Sequence, residues 1–242
     1  MKQVVLLRVG VDSGCGGIQG PLFDDGSFDF VCIPDNRTVS KHTYGNILGR
    51  DNEPHARYFP ESWEMSSQHV HFDPEFETFT YGDPTPPKRS LRWLQPGDFL
   101  AFYCGLQAWD SESGFRYGAR PGLYLVGYFE VSRVVMAKGH GRKNLLPDFG
   151  NNFHVRYRSI FDCDQDRLVL IKGGKGSRLF NKAYKISAGG KNRLGKPLKV
   201  LSPEMRKVFG SFGGVNSIER SPPRWVEDAY TEKAIRFLEK CD

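Results

Sequence analysis

Apolar and polar positions along this chain alternate in short bursts separated by turn residues, a pattern of strands rather than long helices. Residues 4–9 are an apolar run that predicts a buried first strand, leading into a glycine-rich loop over residues 10–21. Asp24, Asp25 and Gly26 form a turn signal before a second expected strand at 28–33. Residues 34–68 are polar and without period. The pattern sharpens from residue 91, with a turn at 95–98 and a strand at 99–103. A second strong strand is expected at 122–131, where Leu123, Leu125, Gly127 and Phe129 alternate with Tyr124, Val126, Tyr128 and Glu130. A further strand is expected at 167–172, then a helix over 178–186 with Ser177 as its N-cap. Ala229, Ile235 and Leu238 give residues 227–241 the face of an amphipathic terminal helix. Together these elements predict an α+β protein. Its sheet is mixed and mostly antiparallel, or an open barrel, with elaborations and a C-terminal helix, in a single domain over residues 1–242.

Composition narrows the class. With 242 residues and 39% apolar content the chain can bury a sizeable core, and its 27 glycines and 15 prolines are scattered as turns require. The five cysteines are odd in number and widely spaced, without a Cys-x-x-Cys pair, which indicates neither a disulfide framework nor a zinc ribbon. The apolar stretch before Arg8 is too short for a signal peptide or a membrane span. A soluble cytoplasmic protein without a membrane partner is therefore expected.

Charge changes the picture more. The formal net charge is +6, yet residues 1–100 carry 9 basic against 14 acidic side chains. The excess lies in residues 133–207, with 18 basic and 5 acidic residues. Such a block points to a polyanionic partner, nucleic acid or nucleotide, with a solvated basic face as the alternative.

Candidate chemistry concentrates in residues 69–89, which hold two histidines, four carboxylates and a Lys88-Arg89 pair. Strand alternation would put His69, His71 and Asp73 on one face, before Pro74 interrupts the ladder. Those three are weak candidates for one zinc or iron ion, and His71 and Asp73 are candidates for acid–base work. Half-buried polar residues of a strand would look the same. Glu75 and Glu77 are expected to be solvated or paired with Lys88 and Arg89. In the glycine-rich loop, Asp12 is a candidate catalytic carboxylate, while Cys15 lacks an identifiable base. Tyr44, Tyr81, Asp83, Lys88 and Arg89 are candidates for substrate binding. Lys172, Gly173, Lys175, Ser177 and Arg178 are the best phosphate candidates, since a capped helix start with lysines favours an anion. An ordinary capped helix with exposed lysines is the other reading. No cofactor is specified.

Four segments carry a family resemblance: residues 9–23 (Val-Gly-Val-Asp-Ser-Gly-Cys-Gly-Gly-Ile-Gln-Gly-Pro-Leu-Phe), 43–46 (Thr-Tyr-Gly-Asn), 71–83 (His-Phe-Asp-Pro-Glu-Phe-Glu-Thr-Phe-Thr-Tyr-Gly-Asp) and 94–103 (Leu-Gln-Pro-Gly-Asp-Phe-Leu-Ala-Phe-Tyr). They resemble the nucleotide modification associated domain 3 family nearly end to end. The resemblance implies a role linked to modified bases or nucleotides. Residues 96–105 and 122–131 are also similar to the core of PUA-like domains of the ASCH and EVE types, implying a small base-binding barrel at about 91–200. The expected function is binding or processing of a modified base or nucleotide. A non-catalytic reader of modified bases in DNA or RNA is the alternative.

Overall fold

The computed structural model describes all residues except 1, 12–14, 16, 215, 216, 220 and 221. The strands are β1 (Val4–Arg8), β2 (Gly20–Leu22), β3 (Ile33–Pro34), β4 (Val70–His71), β5 (Thr80–Asp83), β6 (Phe99–Asp110) and β7 (Gly114–Phe115). They continue with β8 (Gly122–Met136), β9 (Val169–Gly173), β10 (Arg178–Lys185), β11 (Ser187–Lys191), β12 (Pro197–Leu201) and β13 (Arg224–Trp225). The α-helices are α1 (Arg142–Phe149), α2 (Phe153–Arg156), α3 (Arg158–Asp164), α4 (Pro203–Phe209) and α5 (Asp228–Lys240).

β1 reads as an unbroken apolar run because it is covered on both faces, Val4 and Leu6 on one and Val5 and Leu7 on the other. It pairs parallel with β6 and antiparallel with β13. The main sheet runs β13-β1-β6-β8-β9-β5, with β2 and β7 on β6 and β10 on β8. Its pairings are antiparallel except β1 with β6 and β2 with β6. The architecture is α+β with a mixed, mostly antiparallel sheet that is not closed.

β8 changes partners along its length. Up to Glu130 it pairs with β6, and beyond a register shift at Val131 it pairs with β9. That shift carries β9 and β5 away from the β1 side to where α2 packs. On one sheet face, Leu123 and Leu125 meet Phe209, Ala234 and Leu238 from α4 and α5. On the other, Phe102, Val126 and Phe129 meet Leu91, Leu94 and Ile171. Each such fully buried side chain stabilises the fold by roughly 1.5–3 kcal/mol. In α5, Thr231, Ala234 and Leu238 recur at helical spacing toward the core, and Asp228 and Lys240 suit the two ends of the dipole.

The helix expected over 178–186 is instead the strand β10. Arg178 and Leu179 pair with Tyr128 and Gly127 of β8. A Cβ on Gly127 would lie 2.5 Å from the Arg178 carbonyl oxygen, so this close approach needs glycine. The Ser177 hydroxyl accepts the Glu130 N–H at 3.1 Å and caps no helix. A cap is worth only about 1 kcal/mol, and the open edge of β8 takes up residues 178–185 as a strand instead. The strand expected at 28–33 is reduced to Ile33–Pro34 and an isolated bridge from Phe28 to Leu22. Asp29 turns away to accept the Arg50 N–H at 2.9 Å. No described helix is long and apolar enough to cross a membrane. All five cysteines are free thiols.

Candidate functional site

β4 and the loop after it supply His71 and Asp73, β5 supplies Tyr81, Gly82 and Asp83, and α2 supplies Phe153 and His154. Asn152 joins them. Its side-chain oxygen caps α2 by accepting the His154 N–H at 3.1 Å, and its amide donates to Asp73 Oδ2 at 3.1 Å. The Gly82 N–H donates to the same oxygen at 2.9 Å. A Cβ at Gly82 would stand 2.8 Å from Asn152 Oδ1 and 3.0 Å from His154 Cδ2, so glycine lets strand and helix start meet.

Asp164, at the end of α3, accepts from His154 Nδ1 at 2.9 Å. Arg37 donates to both its oxygens at 3.1 Å. Because a carboxylate only accepts, Nδ1 carries the hydrogen and Nε2 is left facing Asp73, 3.9 Å from Oδ2 and too far for a hydrogen bond. The His71 ring stacks on Phe153 at 3.9 Å between centroids and meets the His154 ring edge at 5.0 Å. Ligand-type atoms of His71, Asp73 and His154 all lie within 4.8 Å of one another. Asp73 Oδ1 is buried and has no hydrogen-bond partner among the described residues.

A second polar group adjoins this one. Lys88 Nζ lies 2.8 Å from Asp83 Oδ2 and donates to the Tyr81 hydroxyl at 3.1 Å, which in turn donates to Asp83 at 2.9 Å. The Thr85 N–H donates to Asp83 Oδ1 at 2.7 Å. Both groups open on a cavity of about 440 Å³, whose other walls include Arg8, Asp35 and Arg37. That volume falls in the range of small-molecule pockets.

Burial sets the electrostatics. It depresses the His71 imidazole to about 3, with His154 adding to the effect. Burial also raises the Asp73 carboxyl well above the ordinary range, although Gly82 and Asn152 donate to it. Asp83 is buried too, but Lys88 and Thr85 outweigh that and hold it low. For Asp164, burial is again outweighed, by hydrogen bonds from His154 and Arg37.

Of the residues singled out from sequence, the pocket gathers His71, Asp73, Tyr81, Asp83 and Lys88. Asp12 lies outside the described residues. Tyr44 is in a separate core, donating to the Cys32 carbonyl at 2.6 Å and packing on Phe59. Arg89 is exposed. His69 Nδ1 contacts the Ser40 carbonyl oxygen and is not part of the His71 cluster. Glu75 is neither solvated nor paired with Lys88. It is 2% exposed and accepts from Thr78 and Thr80, bracing the turn before β5.

In the 172–178 segment, Lys172 donates to the Thr78 carbonyl at 2.5 Å and Gly173 N–H to the Phe79 carbonyl at 2.8 Å. Arg178 reaches the Tyr128 hydroxyl and the Glu239 carbonyl, and Lys175 is exposed. With Ser177 in a strand-to-strand turn, no helix start lies there. Residues that sequence reasoning missed are Arg37, Asn152, His154 and Asp164. Their one local signal is Asn152 two positions before a histidine, a cap-like spacing.

The model of the nucleotide modification associated domain 3 family matches residues 3–237. The chain belongs to this family. No curated protein and no solved structure matches it. The matched span of this nucleotide modification associated domain encloses the whole pocket, from Arg8 to His154. Membership associates the chain with nucleotide modification.

Proposed function

We propose that the protein binds a nucleobase, as free nucleotide or within nucleic acid, in the 440 Å³ pocket and acts on it chemically at His71, Asp73 and His154. The observation that carries this reading is the cluster itself, two imidazoles and a carboxyl within 4.8 Å on the pocket wall. A recognition pocket needs stacking surfaces and matched donors and acceptors. It has no need of a buried ionisable cluster, whose desolvation is costly unless the groups have work to do.

The remaining walls suit a nucleotide. The half-exposed Arg37 side chain, although paired with Asp164, brings positive charge to the rim for phosphate. We carry the basic 172–178 segment forward as a surface contact for polyanion, led by the exposed Lys175. Five free thiols support a reducing compartment, and we place the protein in the cytoplasm.

The test is a titration against free nucleotides, single strands and duplexes, modified and unmodified, at two salt concentrations, with mass analysis of the recovered ligand. Binding followed by a mass change that Asp73→Asn removes supports the proposal. Binding with the ligand recovered unchanged makes the protein a reader. Absence of binding to every ligand ends both readings.

A further inference from the structure

We propose that His71, Asp73 and His154 form a binding site for one first-row divalent transition metal ion, with open coordination positions directed into the nucleotide pocket. The proposal rests on the reading of that pocket as the reacting centre, and it draws on three geometric observations.

The donor set is the first. Two imidazoles and one carboxylate, with ligand atoms mutually within 4.8 Å, can converge on a single ion. Bonds of about 2.0–2.2 Å to a common centre put ligand atoms some 3–4 Å apart, so small side-chain movements close the site. Two histidines and one carboxylate leave further positions for water and substrate, the arrangement of open iron and zinc sites.

The support around the donors is the second. His154 gives Nδ1 to Asp164, which points Nε2 into the cluster, and Arg37 fixes that carboxylate in turn. A carboxylate behind the distal nitrogen of a ligating histidine fixes its tautomer and strengthens it as a donor. Asp73 is held the same way, through Oδ2 alone, by Gly82 and Asn152.

The third is the oxygen left over. Asp73 is 8% exposed, and its Oδ1 has no hydrogen-bond partner among the described residues. Buried carboxylate oxygens are paired in folded proteins unless something else satisfies them. A cation held by this carboxylate and the two imidazoles would do so. The ligand trio differs from the one that strand alternation suggested. His154, which lies 81 residues beyond Asp73, takes the place of His69.

The experiment loads the chelator-stripped full-length protein with Zn²⁺, Mn²⁺, Fe²⁺ or Co²⁺ alone. It measures bound metal per chain after dialysis, and for Co²⁺ the visible absorption that reports nitrogen ligation. One equivalent per chain is expected. His71→Gln and Asp73→Asn should each weaken it at least 100-fold, Asp164→Asn should weaken it about 10–100-fold, and His69→Gln should leave it unchanged. Circular dichroism verifies each variant's fold; if one unfolds, the wild-type Co²⁺ spectrum still decides for or against histidine ligands. Lack of stoichiometric binding by any of the four ions overturns the proposal. So does binding that survives both His71→Gln and Asp73→Asn, or that depends on His69. Nucleotide binding by the metal-free protein is scored separately. If nucleotide binds while no metal does, only the metal site fails; if metal binds while no nucleotide does, only the functional reading fails.

Discussion

His154 gives its Nδ1 hydrogen to Asp164 across 2.9 Å, and that one bond decides which edge of the imidazole meets Asp73. Asp164 itself is fixed from outside by Arg37, so the orientation of a buried ring depends on a residue 127 positions from the carboxylate that holds it. Asp164→Asn keeps the shape but allows an amide N–H to face Nδ1, which favours the wrong tautomer. If the pocket is the reacting centre proposed above, turnover should fall on the order of 10²-fold, because small misplacements at such a centre cost that much. Arg37→Met should cost less, since the acceptor remains. The comparison is made by steady-state rates on variants matched for thermal stability, and equal losses would mean that Arg37 rather than the ring orientation matters.

Gly82→Ala tests the same centre from the strand side. The added Cβ would meet Asn152 Oδ1 at 2.8 Å and His154 Cδ2 at 3.0 Å. β5 is braced by its ladder to β9, so α2 is the part that gives way. The expected outcome is a folded protein with about 10²-fold lower turnover, from displacement rather than loss of any acid–base group. Rates within a few-fold of wild type would show that α2 slides without consequence.

How far the sequence revealed the site depends on where each residue lies. His71, Asp73, Tyr81, Asp83 and Lys88 sit within one short stretch, and their density of ionisable groups was visible without knowing the fold. His154 and Asp164 were invisible because β8, α1 and α2 bring them back across the sheet, a relationship no local spacing encodes. The strands β1, β6 and β8 were legible, since two-sided burial writes a continuous or alternating apolar pattern. β10 was not. Gly-Lys-Gly-Ser before Arg178 is as good a helix start as a strand-to-strand turn, and the open edge of β8 settled the choice. Tyr44 shows the opposite error, an aromatic near polar residues that belongs to a core.

Lys88 and Asp83 form a pair with side chains 17% and 10% exposed. Lys88→Met leaves the Asp83 charge buried with only Tyr81 and Thr85 to satisfy it, at a cost of about 3 kcal/mol. Adding Asp83→Asn removes the stranded charge and should recover more than half of that loss. Urea unfolding of the single and double variants checks this. If the double variant is no more stable than Lys88→Met, the pair is not what holds this wall of the pocket.

His55 ties stability to pH away from the site. The ring is 6% exposed, and burial pushes its pKa below the ordinary value, while the charge on Asp29 only partly opposes this. Above a pH of about 6.5 the ring is neutral in both folded and unfolded chains and contributes no pH dependence. As pH falls below that value the unfolded chain takes up the proton first, so stability declines until pH passes the lower folded-state pKa. The decline from one such group approaches about 1.4 kcal/mol per pH unit at its steepest. His71 and His42 are also shifted down by burial and add to the slope, so His55→Gln should flatten the curve without abolishing it. Unfolding free energies at pH 7.5, 6.5 and 5.5, roughly spanning the histidine range, are measured in the presence of chelator for both proteins. Parallel curves would mean that His55 takes up its proton in the folded protein as readily as in the unfolded chain.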